Sequence, residues 1–403
     1  MEENQEKKLK IGLFVDAFYP MIDGVVMVVD NYARRLAKIA NVTVFAPRGR
    51  KPFDDSSLPY KVVRCNSRFP AVFLDYDLPL PKLDKNFKKQ LENSNLDIVH
   101  IHSPFTIGKV GLNYAKKHNI PAVATMHSQF KQDFLRQTHS KLLTKILLKN
   151  IMKVFNGCDE CWAVNDNVGK LFVTYGAKTL PKTRNNSTDM KPLEDRKGLE
   201  ELREKYKIEK DEKVLLFVGR IDKIKNIFFI VDALNILKEK GFKFKMLFVG
   251  TGIDEKELWG KIKKDNLEDN VIMVGKICDR NVLAQYYALA DLFLFPSLYD
   301  MSSLVQIEAA SQGTPTLFLK GSVTSGTVTE NVNGFFSENN VEAYAQKILD
   351  IFGNQEFYEQ VSKSALKDLY VSWDDAVTKA FEDYKQILKT YKEKHNEDVK
   401  KSK

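Results

Sequence analysis

The sequence predicts an α/β protein made of two open parallel sheets in tandem, with a cleft where the strand-end loops of the two halves face each other. Three observations predict it. Short apolar runs alternate with amphipathic stretches of crossover length along most of the chain, the pattern left by parallel strands buried on both faces and joined by helices. At 403 residues, with 43% apolar content, the chain can fill two cores. One long polar run, NNSTDMKPLEDRKG at 185–198, divides the elements into two sets and reads as a linker.

In the first half, the apolar run KIGLFVDAFYP, with Gly12 inside it, precedes Asp23-Gly24 and then VVMVVDNYARRLAKI, whose apolar positions recur every three and four residues. That order gives strand, glycine-containing loop and helix. NVTVFAPRG and KVVRCN supply two further strands. Asp97–His102 and Ala122–Met126 supply two more around the helical GKVGLNYAKKHN, and a helix from Ser140 to Phe155 leads to the strand ECWAVN. The second half repeats the scheme with strands KVLLFVG, KMLFVG, NVIMVG, DLFLFP and TPTLFL separated by crossover helices. Domains are therefore expected at 1–190 and 191–372. The remaining 373–403 carry a helix with no strand behind it, expected to pack across the lobes.

Composition narrows the class. Charged residues at 29%, with 20 Gly and 13 Pro, fit neither a disordered nor a collagen-like chain. Four scattered cysteines do not make a disulfide framework, and the charged start MEENQEKKLK is unlike a signal peptide, so a cytoplasmic location is expected. No stretch reaches 18 consecutive apolar residues, which argues against a membrane span and leaves surface attachment open. The net charge of +9 points to an anionic partner: nucleic acid, a phospholipid surface or a phosphorylated small molecule. Nucleic acid is disfavoured, because neither aromatic-interleaved basic strands nor a zinc-finger spacing is present.

LFVGRIDKIKN places Gly219 and Arg220 at a strand end and Lys225-Asn226 at the mouth of a helix. Two cations beside a helix N-terminus suit a diphosphate, and they also suit an ordinary solvated surface. Gly250 and Gly252 in LFVGTG allow close backbone approach to a ligand, or simply make a turn. In FPSLYDMSSLVQIEAASQG, Asp300 precedes a helix and Glu308 lies two turns inside it, too far apart for a paired acid/base site. They suit different parts of one extended ligand: sugar hydroxyls on Asp300, a phosphate on the amides near Ser303 and Leu304, ribose hydroxyls on Glu308. The competing reading makes Asp300 an N-cap and Glu308 a solvated helix residue.

Five of the six histidines lie between residues 100 and 139. His100 and His102 share a strand face, yet no cysteine or carboxylate stands at zinc spacing beside them, so no metal site is expected. His102, at a strand end, is a candidate for the acceptor side or for a structural role. Cys158 and Cys161 have CxxC spacing but enter a strand rather than open a helix, and read as structural. KLLTKILLKNIMKVF carries Lys141, Lys145, Lys149 and Lys153 at four-residue spacing with no acidic residue. Such a helix either lies on an anionic membrane or buries its apolar stripe and solvates its lysines.

Taken together, Gly219-Arg220 with Lys225-Asn226, Gly250-Thr251-Gly252, ADLFLFPS at 290–297, the acidic-x7-Glu pattern closing on Glu308-Ala309, and Gly313-Thr314-Pro315 resemble the retaining glycosyltransferases of family 4 over essentially the whole chain. The resemblance implies two Rossmann-like domains of the GT-B type, with a nucleotide-sugar held mainly by the C-terminal one and an acceptor mainly by the N-terminal one. It makes Arg220 and Lys225 the diphosphate clamp. Gly24-Val25 matches the glycine-bearing loop that approaches the donor phosphates, and His127 the strand-end histidine near the transferred sugar. One position departs: the family usually has Glu where this chain has Asp300, one methylene shorter with the same acceptor chemistry, so altered sugar geometry is expected rather than lost function.

The mechanism implied is a same-face transfer, in which the acceptor hydroxyl attacks as the nucleotide leaves and the diphosphate takes the proton. No tightly bound cofactor and no metal are expected. The expected activity is α-transfer of a hexose, from a donor of UDP-glucose type, to a lipid or cell-surface glycan, with attachment to the inner face of the cell membrane. A soluble carbohydrate acceptor, a nucleotide-sugar epimerase and a non-catalytic partner subunit of the same fold are the alternatives.

Overall fold

The computed structural model describes residues 8–69 and 77–401, so most of the charged amino-terminal segment lies outside the described residues. The chain forms two units: one runs to Asn185 and resumes at Trp373, the other is Asn186–Ser372.

The first unit comprises β1 (Lys10–Phe14), α1 (Gly24–Ile39), β2 (Asn41–Pro47), β3 (Lys61–Cys65), a small antiparallel pair β4 (Arg68–Phe69) and β5 (Leu78–Pro79), α2 (Lys85–Glu92), β6 (Ile98–Ile101), α3 (Thr106–His118), β7 (Ala122–Met126), α4 (Phe130–Thr138), α5 (Lys141–Phe155), β8 (Glu160–Ala163), α6 (Asp166–Thr174) and β9 (Lys182–Thr183). α1 starts where it does because the Asp23 side chain accepts a hydrogen bond from Val26 N at 2.8 Å, and it buries Val26, Val29, Ala33 and Leu36 on one stripe. The parallel sheet has the order β3-β2-β1-β6-β7-β8-β9. The winding reverses between β1 and β6, so the loops leaving these neighbours part to opposite faces and open a crevice at their carboxyl ends.

The second unit comprises α7 (Lys197–Lys205), β10 (Lys213–Val218), α8 (Ile227–Glu239), β11 (Phe244–Val249), α9 (Glu255–Lys264), β12 (Val271–Gly275), α10 (Arg280–Leu289), β13 (Leu292–Phe295), α11 (Leu304–Ser311), β14 (Thr316–Leu319), β15 (Phe335–Ser337), α12 (Val341–Phe352) and α13 (Gln355–Leu369). Its parallel sheet, β12-β11-β10-β13-β14-β15, reverses between β10 and β13, where Leu215 pairs with Leu292. Both units thus have the doubly wound, Rossmann-like arrangement expected. β9 and β15, two and three residues long, are edge strands too short to leave a pattern in the sequence.

Residues 186–190 of the polar run at 185–198 belong to the second unit. Asn186, Ser187 and Thr188 are buried, and Asn186 Nδ2 donates to Ser302 Oγ at 3.1 Å while Thr188 N donates to Val371 O at 3.2 Å. The last helix, α14 (Trp373–Lys401), is part of the first unit. Its buried residues Trp373, Val377, Ala380, Tyr384 and Ile387 recur every three and four positions and turn one stripe inward. Tyr384 stacks on Trp162 at 5.5 Å, and Asp383 accepts from Arg184 Nε at 2.6 Å and from Lys182 Nζ at 2.8 Å. The helix therefore packs over the sheet through side chains of β6 and β8 and of the segment at β9.

Candidate functional site

The reversal between β10 and β13 sets two loops side by side in the second unit. In the first, Asp222 opens a short turn, Lys223–Lys225, by accepting from Ile224 N at 3.0 Å. Asn226 follows in the left-handed region (φ 62°), and its Nδ2 donates to Pro296 O of the other loop at 3.3 Å. Across this tie the Lys225 ammonium is ion-paired with the Asp300 carboxylate, whose Oδ2 also accepts from Ser297 Oγ at 2.6 Å. Arg220 behaves differently: its side chain is 62% exposed and its Nε lies 3.4 Å from Asp222. Of the expected clamp, the fold thus joins Lys225 to Asp300 and leaves Arg220 reaching into solvent.

Glu308 is buried on α11 with both oxygens engaged. Arg280 Nη2 donates to Oε1 at 2.8 Å and the Tyr287 hydroxyl to Oε2 at 3.0 Å. Burial, reinforced by the Glu308 charge, pushes the Tyr287 hydroxyl far above its usual range, so it stays a donor. Arg280 Nη2 also reaches Thr188 Oγ1 at 3.2 Å. Arg280, Tyr287 and Thr188 are absent from the sequence-derived set: Arg280 follows an ordinary helix cap, Asp279, and Tyr287 occupies a core position of α10. At the start of α11 no side chain caps the helix from Ser303, whose own amide donates to Thr324 Oγ1 at 3.3 Å, and Leu304 is the first helical residue. Nearby on α11, Gln306 Nε2 is buried without a protein partner.

The strand-end glycines have an internal reason. A Cβ on Gly250 (φ 139°) would fall 1.9 Å from the Gly219 carbonyl oxygen, and one on Gly252 would fall 2.1 Å from that of Ile221. The loops after β10 and β11 therefore touch backbone to backbone. Gly24 is the opposite case: it is exposed at the start of α1, and an added Cβ would meet nothing within 4 Å.

In the first unit, β6 and β7 are neighbours, which brings His102, just past β6, beside His127, just past β7. His102 Nδ1 and His127 Nε2 lie 3.1 Å apart. The rings are inclined by only 18° with centroids 5.3 Å apart, an edge-to-edge hydrogen bond rather than a face-to-face stack. His100, on the same strand face as His102, holds Tyr384 Oη at 2.5 Å and Thr125 Oγ1 at 2.7 Å. Burial drives His100 and His102 well below the usual imidazole range and His127 down to about 4, so all three are neutral at pH 7. Asp16, past β1, caps α3 by accepting from Phe105 N, Thr106 Oγ1, Ile107 N and Gly108 N at 2.7–3.4 Å, and burial still raises it to about 6.

The basic helix divides its faces. The second half of α5 buries Ile151, Met152, Val154 and Phe155, while its first half leaves Leu142 at 72%, Leu143 at 43% and Ile146 at 49% exposure. Lys141, Lys145, Lys149 and Lys153 join Lys116, Lys131 and Lys178 along a groove of about 850 Å³ whose lining contains no carboxylate. Cys158 and Cys161 donate to the carbonyls of Val154 and Phe155 at 3.3 Å, and burial pushes the Cys161 thiol up to about 12, so neither is a nucleophile. Among the described residues no group of three His, Cys, Asp or Glu is placed to hold a metal, and no helix is long and apolar enough to cross a membrane.

Residues 199–368 match the family model described as Glycosyl transferases group 1, and residues 22–182 match Glycosyltransferase Family 4. The chain is 27% identical over 371 residues to the alpha-monoglucosyldiacylglycerol synthase of Acholeplasma laidlawii, covering 89% of this chain and 92% of that protein. The enzyme of the same name from Streptococcus pneumoniae is 26% identical over 321 residues, 77% of this chain and 70% of that one. Among solved structures, HepE of Anabaena in complex with UDP aligns with a TM-score of 0.73 at 18% identity, covering 94% of this chain and 100% of that chain, a likeness of fold.

Proposed function

The chain belongs to glycosyltransferase family 4, and on that premise we propose that it moves a hexose from UDP-glucose or a close analogue to a lipid or cell-surface glycan, with retention of the α configuration. The Lys225–Asp300 pair carries this reading. A nucleotide-sugar has its diphosphate and its hexose on either side of one anomeric C–O bond, so a cation and a carboxylate held side by side match that junction. We assign the donor to the second unit. Lys225 and Arg220 meet the diphosphate, the first amides of α11 at Ser303 and Leu304 meet a phosphate oxygen, and Asp300 accepts from hexose hydroxyls. Each Glu308 oxygen already accepts one hydrogen bond and has a second lone pair for a ribose hydroxyl. The loops held by Gly219, Gly250 and Gly252 supply the floor of this donor site; in the first unit we assign a phosphate oxygen to Gly24 and a sugar hydroxyl to His127.

In the reaction the acceptor oxygen bonds to the anomeric carbon as the bond to the diphosphate breaks, on the same face. The acceptor proton passes to the departing phosphate. Negative charge grows on the diphosphate during this step, so Arg220 and Lys225 act on the transition state more than on the ground state. No divalent metal takes part. Two relatives named for glucosyldiacylglycerol synthesis support a lipid acceptor. The exposed Leu142, Leu143 and Ile146 beside a lysine groove support peripheral attachment to an anionic leaflet.

Calorimetry of the full-length protein with UDP-glucose, followed by transfer assays on diacylglycerol vesicles and on soluble sugars, tests this reading. Donor should bind without acceptor, EDTA should not slow transfer, and the anomeric proton coupling of the product should be that of an α-linkage. A β-linked product overturns the proposal.

A further inference from the structure

We infer that His102 is a positioning residue that fixes the tautomer of His127, so that His127 presents Nδ1–H, a hydrogen-bond donor, to its ligand. That His127 faces a sugar rests on the proposed function; the hydrogen bond between the two rings does not.

Two tautomeric arrangements satisfy the 3.1 Å contact between His102 Nδ1 and His127 Nε2. Each neutral ring carries one proton, so one ring donates and the other accepts. If His127 donated from Nε2, His102 would accept at Nδ1 and carry its own proton on Nε2. That nitrogen is buried, in a residue only 3% exposed, and has no protein partner among the described residues. A buried N–H without an acceptor loses its hydration with no return, whereas a bare ring nitrogen in the same place leaves no donor stranded. The proton of His102 therefore belongs on Nδ1, where it is used. His127 then accepts at Nε2 and carries its own proton on Nδ1.

The surroundings favour the same arrangement. His100, whose ring centroid is 4.0 Å from that of His102, cannot take the Nε2 proton, because both its nitrogens are occupied by Tyr384 and Thr125. The Tyr32 ring lies 5.8 Å from that of His102 at 71° to it, and its hydroxyl makes no hydrogen bond to Nε2. The consequence is chemical. An Nδ1–H of His127 can donate to a hydroxyl or ring oxygen of a sugar, and it cannot remove a proton at that atom. His127 orients its ligand, and base catalysis has to come from elsewhere.

The test is direct. Two-bond proton–nitrogen correlation spectra of full-length protein labelled with nitrogen-15 histidine, near neutral pH and without substrate, read each ring's tautomer. The expected result is a protonated Nδ1 and a bare Nε2 for His127. A protonated Nε2 overturns the inference. Replacing His102 with Leu should release His127 from the Nδ1–H form and lower kcat about tenfold or more with the donor KM little changed. Replacing it with Asn, whose amide N–H can stand in for Nδ1–H, should restore both the tautomer and most of the rate. If the His102→Leu protein keeps the Nδ1–H signature and the wild-type rate, His102 positions nothing. Because the spectra need no donor, a wild-type protein that transfers no sugar would refute the functional reading while the tautomer is still measured. If the His102→Leu protein does not fold, the wild-type and His102→Asn spectra decide alone.

Discussion

The Lys225 ammonium is ion-paired with the Asp300 carboxylate, although 75 residues separate them in the chain. The pair exists because β10 and β13 are neighbours at the reversal of the second sheet, so the loops that follow them converge. Lys225 is thus already positioned, with little side-chain freedom left to lose on binding an anion, whereas Arg220 is not.

That difference separates two substitutions. Arg220→Ala should leave the thermal midpoint of the protein unchanged and lower kcat/KM about 10²-fold, the loss typical of a donor aimed at developing charge. Lys225→Ala should lower kcat/KM at least as much and also lower the midpoint, since it strips a mostly buried carboxylate of its cation. Steady-state rates within about threefold of wild type for Arg220→Ala would remove it from the clamp.

Arg280 and Tyr287 should matter to stability and to the donor at once. Arg280→Ala leaves Glu308 buried with one partner, and Tyr287→Phe deletes the other hydrogen bond; each should cost about 1–3 kcal/mol in urea unfolding. Both should weaken UDP binding by calorimetry, because Glu308 loses the contacts that hold it in place.

Acid should loosen the first unit. Burial lowers His127 to about 4 in the folded protein against an ordinary value of 6.5, and it also holds His100 and His102 well below that value. Between these values the unfolded chain binds protons that the folded one refuses, so stability is complete above pH 6.5 and falls as pH drops, by about 1.4 kcal/mol per unit for each histidine. Asp16, raised from 3.8 to about 6, works the other way: its contribution grows as pH falls through 6. Thermal midpoints measured from pH 7 to 4 should therefore decline, and Asp16→Asn should make the decline steeper by removing the opposing titration.

The α5 surface should bind anionic membranes through both charge and apolar contact. Lys145→Glu with Lys149→Glu should weaken sedimentation with phosphatidylglycerol vesicles and flatten its salt dependence, at about 1 kcal/mol per lysine. Leu142→Ser with Ile146→Ser should weaken the salt-resistant part. Equal binding of the wild type to neutral and anionic vesicles would return this helix to a packing role.

The alternation of apolar runs and amphipathic stretches is enough to place both sheets, and the strand-end positions of Gly219 and Gly250, the place of Asp300 before a helix and that of Glu308 within it follow from the same local pattern. Periodicity reports which residues are buried, because each side chain's direction is set by its own few neighbours along the chain. It does not report which strands are neighbours. That Lys225 meets Asp300, that His102 meets His127, and that Glu308 is held by Arg280 and Tyr287 depends on strand order and on where helices lie across the sheet. So does the return of α14 to the first unit, where Tyr384 bonds His100 across 284 residues of sequence. These contacts are decided by tertiary structure because their stabilisation comes only when distant segments bury surface together, and no local window of sequence contains both partners.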